Sequence, residues 1–382
     1  MKDPIGIVSV GSVSPLGSTS EEIWNSYLQE THFLSQRPET DFPEPAGWLP
    51  TALKTSAEKL RTEDPRFRNL DNSVLYAVLA ARKAFESVPV STSAGINIGS
   101  SRGATRLFEK YHKEYIETGK VSTYTSPTTT LGNISSWVAQ DLKLEGPEFS
   151  HSITCSTGMH AILNAIAWMN SGISDAFLAG GSEAPLTGFT LAQMQAMKIY
   201  SRQTEFPCRS LDMKKQENTM VLGEAAGIVS LQREAENARV WIKGIGFSTE
   251  KLRHGASLSK NGKGIQKAMK MALNGRAPKE IDAVVLHAPG TIGGDAAEVN
   301  AIKAVFGKDL PAMTSNKWKI GHSFGASGVL SLEMAILMLQ KQQFLTVPFS
   351  EFQQQPEKLD NILVNSVGFG GNAVSILIGR RM

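Results

Sequence analysis

The sequence predicts an α/β fold with a mixed or parallel buried sheet. Short apolar, β-branched runs alternate with longer stretches of helical spacing, and turns separate them. The runs IGIVSV, AGINIGS, EFSHSIT, DAFLAGG, AAGIVSL, VWIKGIGFS, DAVVLHA and ILVNSVG read as strands. NSVLYAVLAARKAFESV, GMHAILNAIAWMNSG, KGIQKAMKMALNG, AAEVNAIKAVFG and VLSLEMAILMLQ carry apolar residues at helical intervals. At 382 residues, with 41% hydrophobic and 20% charged, the chain can bury a large core.

The organisation reads as two related halves. GIVSVGSVSPLGST near the start resembles VWIKGIGFST, and DAFLAGGSEAP echoes DAVVLHAPGT. A split in the charged stretch QREAENAR gives residues 1–235 and 236–382. Residues 33–70, rich in proline and charge, read as a long surface excursion or cap.

Charge and cysteine content exclude several classes. A net charge of +3, from 39 basic against 36 acidic residues, provides no field for nucleic acid. MKDPIGIVSVGSV begins as a strand and not as a secretory signal, and no apolar run reaches the roughly 18 residues of a membrane span. The two cysteines, Cys155 and Cys208, form no disulfide framework and no CxxC pair for zinc, so no metal is expected. Thiols in a reducing cytoplasm fit best.

Candidate chemistry collects at strand-to-helix junctions. Cys155 in SITCSTGMH follows the expected strand 149–154 and opens the expected helix 156–170. There the positive end of the helix dipole lowers a thiol pKa and raises its thiolate fraction. Cysteine is also among the most buried residue types, so Cys155 taken alone reads first as a packed core thiol. His287 ends DAVVLH before the turn APGTIGGD, and His322 lies in the glycine-framed NKWKIGHSFGASG. His32, His112, His151, His160 and His254 lack such a setting and read as surface or packing residues. NSVGFGGNA adds glycines whose free N–H groups can bind an oxyanion or simply close a turn.

In this order TCSTG, HAPGTIGGDAAE, NKWKIGHSFGASG and NSVGFGGNA, with VSVGSVSPLGST and RSLDMKKQENTMVLGEAAGIVSL, resemble the elongating β-ketoacyl-acyl-carrier-protein synthases. The resemblance runs from about residue 5 to 375, with residues 20–95 offering nothing specific. It implies a thiolase-like fold: two pseudo-symmetric halves in an αβαβα arrangement, usually dimeric. It implies decarboxylative condensation of a Cys-bound acyl chain with malonyl-acyl-carrier protein, in fatty-acid, polyketide or aryl-polyene synthesis. Cys155 then matches the nucleophile, and His287 and His322 the histidines that assist decarboxylation. Lys317 matches the loop lysine, and Asp295 and Glu298 the acidic pair. Phe369 matches the aromatic gate, its N–H and that of Cys155 forming the oxyanion hole. No cofactor is implied beyond the phosphopantetheine of the acyl carrier protein. The partners implied are that carrier and a second subunit, in a homodimer or a heterodimer with a related synthase. A basic rim of Arg202, Arg209, Lys214 and Lys215 is the expected carrier contact.

His322 separates this chain from relatives with a Cys-His-Asn or Cys-His-Cys set. The alternatives are a non-condensing, chain-length-factor-like partner subunit, against which Cys155 speaks, and a Cys-dependent acyltransferase without decarboxylation. The chain also departs from the family. HGTGT is replaced by HAPGT, so Pro289 stands where a threonine commonly binds pantetheine, and it has neither hydroxyl nor N–H. Thr291 remains for that contact. NTMV replaces DGFV, so Met220 reshapes the acyl side, and Val367 replaces a frequent phenylalanine.

Overall fold

A computed structural model describes residues 4–131, 133–251 and 258–380. Its strands are β1 (Ile5–Val13), β2 (Gly95–Gly99), β3 (Glu148–Phe149), β4 (Ala176–Glu183) and β5 (Ala225–Arg233), then β6 (Val240–Thr249), β7 (Ala283–Val285), β8 (Ala312–Thr314), β9 (Asn361–Gly368) and β10 (Asn372–Gly379). They hydrogen-bond in the order β3-β2-β4-β5-β1-β6-β10-β9-β7-β8. Read inward from either end, each half places its third, second, fourth, fifth and first strands in turn. Pair directions repeat as well: β1/β5 and β4/β5 are antiparallel and β2/β4 and β2/β3 parallel, matched by β6/β10, β9/β10, β7/β9 and β7/β8. The halves join where Ile5, Gly6 and Ile7 pair with Ile242, Trp241 and Val240.

This symmetry sorts the sequence echoes. GIVSV and VWIKGIGFST form the equivalent strands β1 and β6. DAFLAGG forms β4, whose counterpart is β9, whereas DAVVLHA forms β7, whose counterpart is β2. That second echo reflects only the apolar content that any buried strand needs.

The layers follow from which helices are apolar all round. Helix Ser327–Lys341 is buried from Ser327 to Leu339, and it packs with helix Thr157–Asn170 between the two half-sheets. Helix Asn72–Ser87 covers β1, β4 and β5 from outside, and helix Lys263–Leu273 covers β6 and β10. The arrangement is αβαβα, with the principal core around the two central helices. A Leu332→Ala cavity in that layer costs about 2–5 kcal/mol.

Several elements differ from the expectation. EFSHSIT keeps only Glu148 and Phe149 as strand, because the chain then turns through Thr154 at φ +49° to present Cys155. DAVVLHA pairs only through Val285, which leaves His287 in the loop beyond. β8 is too short to show a period, and β10 follows β9 directly after the GFGG turn. Residues 33–70 are no mere surface excursion: Phe42, Trp48 and Leu49 are buried, and Leu49 N–H donates to Glu224 at 3.0 Å. Phe42 and Trp48 share an apolar cluster with Cys155, so this segment forms a wall beside the site.

Candidate active site

The turn that carries Cys155 is built by its neighbours. Thr157 Oγ1 donates to Thr154 O at 2.5 Å and accepts from Ile153 N–H at 2.9 Å, closing the chain ahead of helix Thr157–Asn170. Gly158 must be glycine, because a Cβ there would meet Gly325 O at 2.6 Å. Helix and turn leave Cys155 6% exposed, on the wall of a cavity of about 480 Å³.

His287, His322, Phe324 and Phe369 line the same cavity, with Met220, Pro289, Thr291 and Glu298. The two imidazoles stand edge to face, ring centroids 5.0 Å apart and planes at 87°. Glu298 fixes the loop of the first, accepting from His287 N–H at 3.0 Å, Ala288 N–H at 2.8 Å and Asn365 Nδ2 at 3.1 Å. The second is fixed through its backbone: His322 N–H donates to Val221 O at 2.6 Å, and His322 O accepts from Gly223 N–H at 3.1 Å. Both rings are neutral. Burial holds His322 down to about 3, with Lys317 adding to it. Burial, His322 and Lys317 hold His287 well below its usual range.

The thiol contradicts the expectation of a lowered pKa. Burial, reinforced by the Glu183 carboxylate, pushes Cys155 up to about 12. The N–H groups of Phe369 and Cys155 act on the sulfur in the opposite sense, as two donors converging on one point. Desolvation outweighs them and the dipole, so the resting group is a thiol. Two N–H donors beside a sulfur are an arrangement that can hold an anionic oxygen. Gly370 and Gly371, at φ +89° and +71°, shape that loop, and Phe369 O accepts from Thr154 Oγ1 at 2.9 Å.

Lys317 and Asp295 do not line the cavity. Lys317 is fully buried and donates to Asn316 Oδ1 at 3.0 Å and Ser331 Oγ at 3.2 Å; burial brings it down to about 8. It makes no ion pair with Glu298 among the described residues and acts on the histidines only through its charge. Asp295 accepts from Gly290 N–H and Leu211 N–H, each at 3.0 Å, and pairs with Lys215 at 2.7 Å. Lys215 is therefore buried and cannot serve a docking rim. Arg209 pairs with Asp212 at 2.6 Å, while Arg202 and Lys214 are exposed. Thr291 caps helix Ile292–Phe306, accepting from Gly294 N–H at 3.2 Å.

Among the other histidines, His160 is buried, His151 and His32 are half-buried and His112 is exposed; His254 lies outside the described residues. Two residues at the site escaped the sequence reading. Glu183 ends β4 and accepts from Gly325 N–H at 3.0 Å, from Arg102 N–H at 3.3 Å and from Ser101 N–H. Phe324, at φ +39°, packs its ring 5.4 Å from His322 and closes the cavity beside Cys155. A carboxylate ending an apolar strand, in GGSEAP, was the available signal for the first. Among the described residues no cluster could hold a metal ion, and no helix is long and apolar enough to cross a membrane.

The chain is similar to known proteins over nearly its whole length. A 3-oxoacyl-[acyl-carrier-protein] synthase 2 of Staphylococcus aureus is 26% identical over 400 residues, covering 97% of this chain and 99% of that protein. Among solved structures, the ishigamide ketosynthase/chain length factor superposes with a TM-score of 0.86 at 20% identity, covering all of both chains. A type II polyketide ketosynthase solved in complex with its acyl-carrier protein gives 0.84 at 20% identity, covering 99% of this chain and 100% of that one. The fold is thus the thiolase-like fold of the ketosynthases. Residues 2–237 match the N-terminal domain of the beta-ketoacyl synthases and residues 240–348 the C-terminal domain, and the chain belongs to that family.

Proposed function

We propose that the protein is a 3-oxoacyl-acyl-carrier-protein synthase that extends a Cys155-bound acyl chain with malonyl-acyl-carrier protein. One observation carries the reading: Cys155, two neutral histidines and the Phe369 loop share one cavity. In the first step Cys155 Sγ attacks the incoming thioester, and a cavity-facing imidazole nitrogen takes the thiol proton. The N–H groups of Cys155 and Phe369 hold the oxyanion until the carrier thiol leaves with that proton. Malonyl-thioester then loses CO2, and N–H donors from His287 and His322 stabilise the enolate oxygen. The enolate carbon attacks the acyl carbonyl, Cys155 departs as a thiolate that takes up one proton from solvent to regain the resting thiol, and the product is longer by two carbons.

Glu298 serves this chemistry by holding the His287 loop, and Lys317 by adding its charge to the burial that keeps both rings neutral. Asp295 and Lys215 support the loop carrying Pro289 and Thr291, which faces the pantetheine arm. Met220 and Phe324 bound the acyl side. The acyl groups arrive on the phosphopantetheine of a carrier protein, with no further cofactor. Arg202 and Lys214 are the carrier contacts. The protein works in the cytoplasm as a homodimer or beside a related subunit, and residues 1–235 and 236–382 are its two halves. A non-condensing partner subunit would have no use for a nucleophile and two histidines converging on a cavity.

The test is incubation with acyl- and malonyl-carrier proteins followed by mass spectrometry. A two-carbon extension that Cys155→Ala abolishes supports the proposal. No extension across a broad range of chain lengths overturns it.

A further inference from the structure

The two histidines differ in what meets their inner ring nitrogens. His322 Nδ1 lies 3.1 Å from Ser327 Oγ. Ser327 is 1% exposed at the start of helix Ser327–Lys341, and its hydroxyl has no other hydrogen-bond partner among the described residues. A buried hydroxyl carries one proton that needs an acceptor, and leaving it unpaired is costly. The ring nitrogen is the acceptor in reach. Ser327 therefore donates, Nδ1 accepts, and the ring proton stands on Nε2, which makes no hydrogen bond to the described protein in a ring that lines the cavity.

His287 has no such arrangement. Its Nδ1 is buried without a partner. The N–H groups of His287 and Ala288 are taken by Glu298 and that of Gly290 by Asp295, while Pro289 has none to give. Nδ1 stays unsatisfied in either neutral form, so its surroundings do not select one.

We propose that Ser327 is a positioning residue that fixes His322 as a permanent N–H donor to the cavity, whereas the tautomer of His287 follows whatever occupies the site. The inference rests on the condensation reading for its purpose, since an enolate oxygen needs a donor already in place. The hydrogen-bond arrangement itself stands without that reading. Ser327 thus acts through His322 and touches no substrate.

The test combines two readouts. Nitrogen-15 NMR of histidine-labelled full-length protein at pH 8, with His287→Gln and His322→Gln for assignment, reports each ring's tautomer. His322 is expected wholly in the Nε2–H form, mixed in Ser327→Ala and restored in Ser327→Thr. Release of CO2 from malonyl-carrier is expected to fall roughly tenfold in Ser327→Ala, the worth of one hydrogen bond, with Cys155 acylation within about twofold of wild type. A His322 that is mixed in wild type, or unchanged in Ser327→Ala, overturns the proposal, as does an equal fall in acylation and CO2 release. A wild-type protein that shows the tautomer pattern yet releases no CO2 leaves the Ser327 contact supported and refutes the condensation reading instead.

Discussion

Glu183 and Gly325 join the two halves of the molecule beside Cys155: the carboxylate that ends β4 accepts the Gly325 N–H at 3.0 Å. The same carboxylate raises the Cys155 thiol. Burial brings Glu183 itself up to about 7, so it is partly ionised at neutral pH. Alkylation of Cys155 by iodoacetamide should therefore rise by about tenfold per unit from pH 7 to 10, following the thiolate, without a plateau. Glu183→Gln should speed it at pH 8. A plateau below pH 8 in the wild type means the thiol is not raised.

The His287 and His322 pair supports a separation of steps. His322→Ala should reduce release of CO2 from malonyl-carrier by about a hundredfold or more, the worth of an oxyanion donor, while Cys155 still takes up acyl groups. Stopped-flow acylation and CO2 release, measured on the same preparation, distinguish this from general damage, which lowers both.

Gly368 admits no side chain. A Cβ there would collide with Thr154 Oγ1 and meet Cys155 N at 3.1 Å. Gly368→Ala should push the Phe369 loop away and lower kcat by about 10²–10³-fold, with the melting temperature little changed. Wild-type turnover in that variant removes the Phe369 N–H from the oxyanion hole.

Met220 is 4% exposed on the cavity wall, within the cluster that holds Phe42, Met194 and Phe324. Met220→Ala should shift the preferred acyl chain to greater length in a competition among carriers of graded length. It should also cost about 2–5 kcal/mol of stability, read from urea unfolding. An unchanged length profile places the chain elsewhere.

Glu333 is buried between the half-sheets, with Ser12 Oγ donating to both its oxygens at 2.8 and 2.9 Å. Burial raises it to about 7. Raised above its unfolded value, it contributes stability that is full below about pH 4.5 and lost as pH rises through 7. Wild type should gain stability relative to Glu333→Gln on going from pH 8 to pH 5. The buried neutral histidines work in the opposite direction below about pH 6.5, so the difference between the two proteins, and not either curve alone, is the quantity to compare.

Much of this was legible in the chain because it is local. Apolar period located the long strands and the central helices, and glycine-framed junctions singled out Cys155, His287 and His322. What depends on contact between distant segments was not. Glu183 acquires its role only when β4 meets the turn at Gly325. Ser327 lies just five residues from His322, but the turn through Phe324 that brings its hydroxyl onto Nδ1 carries no sequence signal of its own. The helix dipole at Cys155 is visible in the sequence, but the burial that outweighs it is a property of the folded site. Lys215, read as a docking charge, is taken out of solvent by Asp295. The three residues of β8 show too little pattern to mark a strand, whereas the apolar, β-branched run AVSILI was an available signal for β10.

The intact mass of the protein tests the central claim most directly. Mixed with acyl-carrier, wild type should gain one acyl group on Cys155, and adding malonyl-carrier should discharge it as a two-carbon-longer product with release of CO2. Cys155→Ala should gain nothing. A wild-type chain that takes up no acyl group, or one whose acyl adduct survives malonyl-carrier unchanged, would contradict the account.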